Sequence, residues 1–243
     1  VRNPAFFSDL KEDLNLELNC DEWAIYAPVD PTLARALVPE EYELQLLPNG
    51  AALFALIVKN CPDVIANGKS LGASNANKGW VSVKGPFEYN PAPNGIPTNP
   101  TAYWYSTFFH VDNWKLDLKL KFKGLPSSYV KEMNFGEFGG ATQSGNVIEN
   151  WFGDAKGYTW TSFNTNHMAF PLKVTHVLYH NNKYSNVTTR VECMTMMKGF
   201  ENNAMIQADA NSAIGSALGT QLMGLAYSLD VNCTANIKQD FNY

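Results

Sequence analysis

Tyr26-Ala-Pro-Val-Asp-Pro-Thr-Leu-Ala-Arg-Ala-Leu-Val-Pro-Glu-Glu-Tyr-Glu-Leu44 leads, after a short polar interval, into the apolar run Ala51-Ala-Leu-Phe-Ala-Leu-Ile-Val58, which Lys59 closes. The stretch reads as a strand end at Tyr26, then a short helix over Pro31 to Leu37. A stop at Pro39 follows, and then a long buried strand. Proline suits the first helical turn, where its missing N–H would have no partner anyway. Eight apolar residues in a row, bounded by turn signals, fit a strand covered on both faces.

Outward from this stretch the chain is mostly β. Trp80 to Phe87 reads as a strand, ended by the loop Asn90 to Pro100 with its prolines Pro91, Pro93, Pro97 and Pro100. That loop is too short to divide domains. In the next strand Ala102, Trp104, Ser106, Phe108 and His110 share one face, and the aromatic residues between them share the other. Trp114 to Phe122 alternates apolar and charged residues, which predicts a half-buried strand. Further strands are expected at Met133 to Phe138, Asn146 to Phe152, Tyr158 to Asn164, Phe170 to Tyr179 and Thr188 to Met197. Ala213 to Leu229 carries Ile214, Leu218, Leu222, Leu225 and Leu229 at helical spacing, which predicts a core helix. The expected fold is therefore α+β, a single domain over 1–243, with an antiparallel, closed or nearly closed β-barrel-like sheet and a few helices.

Composition narrows the function classes. Of 243 residues, 45% are hydrophobic and only 17% charged, with a net charge of −5. Disorder is excluded by the first pair of values, and nucleic-acid binding by the third, since phosphate contacts need a basic surface. No run of roughly 18 apolar residues exists to span a membrane, and no membrane partner is expected. The N-terminal residue is Val1, as in a processed chain. Asn186-Val-Thr188 and Asn232-Cys-Thr234 are glycosylation sequons. Cys20, Cys61, Cys193 and Cys233 form an even set without metal or redox spacing. In an oxidising compartment they make two disulfides, with three connectivities open; in the cytosol they would be four buried thiols. The signals together favour a secreted or secretory-pathway protein.

Candidate chemistry is sparse. His176 and His180 have a zinc-like spacing, but on a strand they would stand about 13 Å apart, at roughly 3.3 Å per residue. No metal and no cofactor is expected. No Gly-x-Ser-x-Gly elbow is present, so triad chemistry has no support. His110 is either a hydrogen-bonding group in a cavity or a core histidine. Arg190, Glu192 and Met194 share a strand face that suits the inside of a pocket, or else an exposed edge.

The opening stretch resembles that of acetoacetate decarboxylase-like domains, in which an aspartate begins a short helix ending in a leucine-X-proline step, here Asp30 through Leu37-Val38-Pro39. A second resemblance lies at Gly124-Leu125-Pro126, where the family has a turn followed by two lysines. One of those lysines forms a Schiff base, and the charge of the other lowers its pKa. Here Ser127 and Ser128 occupy those places, so the likeness, over the first 60 residues and 114–135, implies the fold more than the chemistry. It implies a deep small-molecule cavity, lined by some of Trp104, Phe108, His110, Tyr129, Trp151, Trp160, Arg190 and Met194. Ser127 and Ser128 either donate hydrogen bonds into that cavity or cap the turn.

The expected function is cofactor-free chemistry on a hydrophobic, conjugated or carbonyl-bearing small molecule, by positioning and hydrogen bonding alone. Cyclisations and cycloadditions are of this kind. Secreted fungal hetero-Diels–Alderases of tropolonic sesquiterpene pathways are similar in size and processing. Two alternatives stand beside this: a non-catalytic secreted carrier, and a decarboxylase or aldolase using Lys121 or Lys123. Oligomeric state is left open, a homo-oligomer included.

Overall fold

The computed structural model describes residues 12–85, 101–131, 133, 155–159 and 171–241. Its strands are β1 (Leu14–Val29), β2 (Ala52–Cys61), β3 (Val64–Ala66), β4 (Lys69–Ser70), β5 (Ser74–Ser82), β6 (Thr101–Val111), β7 (Ser127–Tyr129), β8 (Ala155–Thr159), β9 (Leu172–Asn181), β10 (Ser185–Ala208) and β11 (Gln221–Phe241). Among the described residues three helices accompany them: α1 (Pro31–Ala34, running into a 3-10 turn at Arg35–Leu37), α2 (Trp114–Phe122) and α3 (Ala213–Leu218).

The opening stretch folds as its residues dictate. The Asp30 carboxylate accepts the Thr32 N–H at 2.7 Å and so caps α1, with Pro31 in the first turn. Arg35 then donates to the carbonyls of Tyr42 at 2.7 Å and Val38 at 2.6 Å, holding the turn around Pro39 closed. Beyond it, β2 is buried along nearly its whole length, as its unbroken apolar run requires.

One sheet runs β11-β10-β9-β6-β5-β2-β1, and a further pairing of β1 with β11 brings its two ends together. The result is a ring, with the β3–β4 hairpin beside β1, β7 beside β6 and β8 beside β10. Most neighbours are antiparallel, as expected, but β6 runs parallel to both β9 and β7. Alternation along each strand sends side chains to two separate cores. Ala24, Ala55, Ile57, Trp80, Val191 and Ile237 belong to the core inside the ring. Trp23, Ile25, Phe54, Leu56, Val58 and Ile206 belong to a second core on the outer side, with Ala34 of α1 and Ile214 and Leu218 of α3.

Three local expectations are corrected. Trp114 to Phe122 is a helix, because Asn113 accepts the N–H groups of Lys115 and Leu116, both at 3.1 Å, and starts it. Its buried Leu116 and Leu120 stand one turn apart, which an alternating reading puts on one strand face. The helix at Ala213 stops at Leu218 rather than Leu229. Gly219 adopts a φ of 96°, a backbone state that favours glycine, and Gln221 then begins a 21-residue strand. The strand expected at Trp80 to Phe87 starts earlier, at Ser74, and ends at Ser82.

The fourth difference bears on the site. β5 and β6 lose register between Gly79 and Trp80, so that Trp80 faces Ser106 while Gly79 faces Phe108. Thr107 is the extra residue of this bulge, and its Oγ1 donates to the Gly79 carbonyl at 2.9 Å. Phe108 covers Gly79, where an added Cβ would sit 2.2 Å from the ring. The faces of β6 exchange at this point. Trp104 belongs to the inner core, and Phe108 to the outer one.

Candidate active site in the ring interior

The ring encloses a cavity of about 480 Å³. Its wall is mostly aliphatic, with Leu16, Leu18, Val174, Leu178, Val191 and Ile237 among the lining residues. Leu116, Leu120 and Leu125 complete the wall from α2 and the turn after it. The expected aromatic lining is present only in part, through Tyr26, Trp80, Phe109 and Tyr227. Trp104 stands directly behind it, its ring centroid 5.9 Å from that of Trp80.

Besides the hydroxyls of Ser74, Ser106, Thr189 and Thr195, a group of ionisable side chains interrupts the apolar wall. Glu22 on β1 lies directly across the ladder from Lys59 on β2. Their carboxylate and ammonium meet at 2.6 Å with side chains only 10% and 4% exposed. Lys59 Nζ also lies 3.9 Å from Cys233 Sγ. Lys78 reaches the same wall from β5, two residues out of register with Lys59, since Ile57 faces Lys78 and Lys59 faces Ala76. Diagonal neighbours of this kind on one sheet face are within reach of long side chains.

The electrostatics follow from burial. Lys78 is held well below the ordinary lysine range, first because burial penalises its charge and then because the Lys59 ammonium repels it, with Glu22 opposing. Its Nζ sits 4.3 Å from the centroid of the Phe109 ring. His176 on β9 falls to about 4, chiefly through burial, so it is a neutral imidazole at neutral pH. Its Nδ1 accepts from Trp104 Nε1 at 3.1 Å, which places its own proton on Nε2. Burial, then Glu22 and Tyr227, raise the Tyr26 phenol, leaving it a neutral donor. The wall therefore offers a charge-balanced carboxylate–ammonium pair, an amine poised to lose its proton, an imidazole and a phenol. Among the described residues no three His, Cys, Asp or Glu side chains group to hold a metal ion.

The residues expected from sequence fall in different places. Ser127 is buried, but its hydroxyl donates to Asp117 Oδ1 at 2.6 Å and ties β7 to α2. Ser128 and Tyr129 are exposed. His110 follows the bulge to the outer face, beside the Phe108 ring at 5.2 Å between centroids. Arg190 and Glu192 pair with each other at 2.9 Å, outside the ring. Met194 is 53% exposed, and the neighbours Thr189, Val191, Cys193 and Thr195 line the cavity instead. Lys121 pairs with Asp117 at 2.7 Å, and Lys123 donates to the Glu12 carbonyl. Trp151 and Trp160 lie outside the described residues.

Glu22, Lys59, Lys78 and His176 were not among the residues expected. Lys59 shares parity with Ala55 and Ile57, so a strand covered on both faces must bury it. The cysteines pair as Cys20–Cys61, one step beyond the Asp21–Asn60 pair of β1 and β2, and as Cys193–Cys233, directly opposed on β10 and β11. Cys61 and Cys193 line the cavity. Asn186 and Asn232, the sequon asparagines, are both exposed.

Solved structures share this architecture. A structure of acetoacetate decarboxylase matches with a TM-score of 0.60 at 11% identity, covering 100% of this chain and 96% of that one. The chain has the acetoacetate decarboxylase fold. The same fold links it to the enduracididine biosynthesis enzyme MppR in complex with the condensation product of pyruvate and imidazole 4-carboxaldehyde, with a TM-score of 0.58, 11% identity and coverage of 95% and 89%. An acetoacetate decarboxylase from Legionella pneumophila matches with a TM-score of 0.55 at 12% identity, covering 94% of this chain and 87% of that one. No family model and no curated protein sequence matches the chain. Within the acetoacetate decarboxylase fold, this chain has Ser127 and Ser128 after the Pro126 turn and an interior lysine pair at Lys59 and Lys78.

Proposed function

We propose that the protein is an enzyme that admits a bulky, apolar, conjugated carbonyl compound to the ring interior and promotes its cyclisation or cycloaddition, of the hetero-Diels–Alder type. One observation carries the reading: a cavity of about 480 Å³ with a mostly aliphatic wall brings its ionisable side chains Glu22, Lys59, Lys78 and His176 to one part of that wall. A substrate of a few carbons would leave most of such a space empty, whereas a drug-sized apolar molecule fills one of this volume. A donor from the polar group would bind the carbonyl oxygen. Electron density is then drawn from the conjugated system, which lowers the barrier to addition across it. The apolar wall would hold the two reacting ends together, and that positioning needs no covalent intermediate. The test is turnover of a conjugated enone carrying a diene. Rate acceleration with one product stereoisomer supports the reading; binding without acceleration makes the protein a carrier.

A second reading has its own support in Lys78. A buried amine held below its usual range, beside a second ammonium, is equipped to attack a carbonyl carbon. Its nitrogen would form the C–N bond, the oxygen would leave as water, and the iminium charge would face Glu22. MppR, on the same fold, was solved with a condensation product of pyruvate and an aldehyde, which supports this reading. Borohydride with a ketone separates the readings, since only an imine is trapped, and peptide mapping would place the adduct on Lys78.

We further infer passage through the secretory pathway. Two disulfides and two exposed sequon asparagines support it. Among the described residues no helix is long and apolar enough to cross a membrane.

A further inference from the structure

Helix α2 needs one apolar stripe to cover the cavity, and it has two. At about 100° per residue, Leu116 and Leu120 point one way and form cavity wall. Trp114 and Leu118 fall on the opposite side, 58% and 46% exposed. Lys115 and Lys119 border this outer stripe on one side and Lys121 on the other. The one carboxylate of the helix itself, Asp117, is buried and paired with Lys121. A second element extends the surface: Asn182 Nδ2 donates to the Gly124 carbonyl at 3.0 Å, setting the β9–β10 turn beside the end of α2. That turn presents Lys183 and Tyr184, the latter 69% exposed. Lys115 lies over the Trp114 ring and Lys183 over the Tyr184 ring, at 6.0 and 5.6 Å from the centroids. No ion pair engages Lys115, Lys119 or Lys183 among the described residues.

We propose that α2 and the β9–β10 turn dock the protein on the surface of an anionic lipid bilayer. The whole chain carries a charge of −5, so a face bearing four lysines and one neutralised aspartate is a local reversal of sign. An exposed Trp and Leu bordered by lysines, with a Tyr beside them, is the pattern that lies in a headgroup interface. The apolar residues enter the acyl boundary while the lysines reach the phosphates. Docking would put the inner face of the same helix, and the cavity behind it, next to the phase in which an apolar substrate dissolves. Only this last consequence rests on the proposed function; docking itself does not.

Vesicle flotation tests it, using the full chain with phosphatidylcholine–phosphatidylserine vesicles against phosphatidylcholine alone. Wild type is expected to float with the anionic vesicles, weakly or not with the neutral ones, and to release at high salt. Lys115→Glu with Lys119→Glu should weaken binding at least about tenfold. Trp114→Ser with Leu118→Ser should abolish it, with circular dichroism and turnover of a detergent-dispersed substrate unchanged. Absence of flotation at low salt would overturn the proposal, as would equal binding to both vesicles unaffected by the lysine changes. A dimer in sedimentation that Trp114→Ser dissociates would also overturn it, by assigning this face to a second copy. Turnover without flotation, or flotation without turnover, tells a failure of docking from a failure of the catalytic reading.

Discussion

Glu22 and Lys59 face each other across the β1–β2 ladder, 2.6 Å from carboxylate to ammonium, with almost no access to water. Burying two charges costs several kcal/mol per ion, and their attraction offsets this only while both are present. Such a pair is a poor stabiliser, and its presence in an apolar cavity points to chemistry.

Removing one partner exposes that cost. Glu22→Gln or Lys59→Met should each destabilise the fold by about 3–5 kcal/mol. The double variant Glu22→Leu/Lys59→Met should recover most of the loss, read from urea unfolding midpoints. Additive losses in the double variant would show that the two charges are solvated independently.

His176 sets a pH dependence with a definite sign. Burial lowers it to about 4 in the folded chain, against the ordinary histidine value of 6.5. Between those values the unfolded chain binds a proton that the folded chain refuses. Its contribution to stability therefore rises from pH 4 to 6.5 and is flat above, by about 3 kcal/mol in total. His176→Gln keeps an acceptor for Trp104 and should flatten this slope in denaturation midpoints measured across that window. An unchanged slope would move the titration to other groups.

The ladder partners fix the disulfide map. Non-reducing peptide mapping should find Cys20–Cys61 and Cys193–Cys233 and no other pairing. Replacing either pair by alanines should cost about 2–5 kcal/mol. Intact mass should also carry sugar on Asn186 or Asn232, both of which are exposed.

Ser127 separates structural from chemical roles. Its hydroxyl serves Asp117, so Ser127→Ala should cost about 1–3 kcal/mol of stability through the unsatisfied carboxylate. Turnover should be unaffected, and Tyr129→Phe and Arg190→Ala should be silent in both assays. Loss of turnover in a Ser127→Ala protein that is still folded would restore the turn as part of the site.

The sequence shows some of these features and hides others for physical reasons. The α1 region and β2 were legible because a capping aspartate, a first-turn proline and an unbroken apolar run each permit few conformations. Trp114 to Phe122 was not, because Leu116, Leu118 and Leu120 satisfy strand alternation as well as a helix with two apolar sides. Only Asn113 distinguishes the two. The position of His110 depended on one bulge at Thr107, and no periodicity reveals an inserted residue. Lys59 and Lys78 were hidden because strand parity tells which residues share a face, but not which face the ring encloses.

In the proposed function the polar group inside the ring, and Lys78 in particular, acts on a carbonyl substrate. Replacing Lys78 by Met removes a buried amine, so the variant should fold at least as stably as wild type. Its turnover of a conjugated enone–diene is therefore the decisive measurement. The expected result is a loss of about 10²–10³ in kcat, the scale for removing one donor to a developing oxyanion, with Ser127→Ala and Arg190→Ala at wild-type rates. Full activity in Lys78→Met, or the same loss in Arg190→Ala instead, would show that the interior lysine plays no part in turnover.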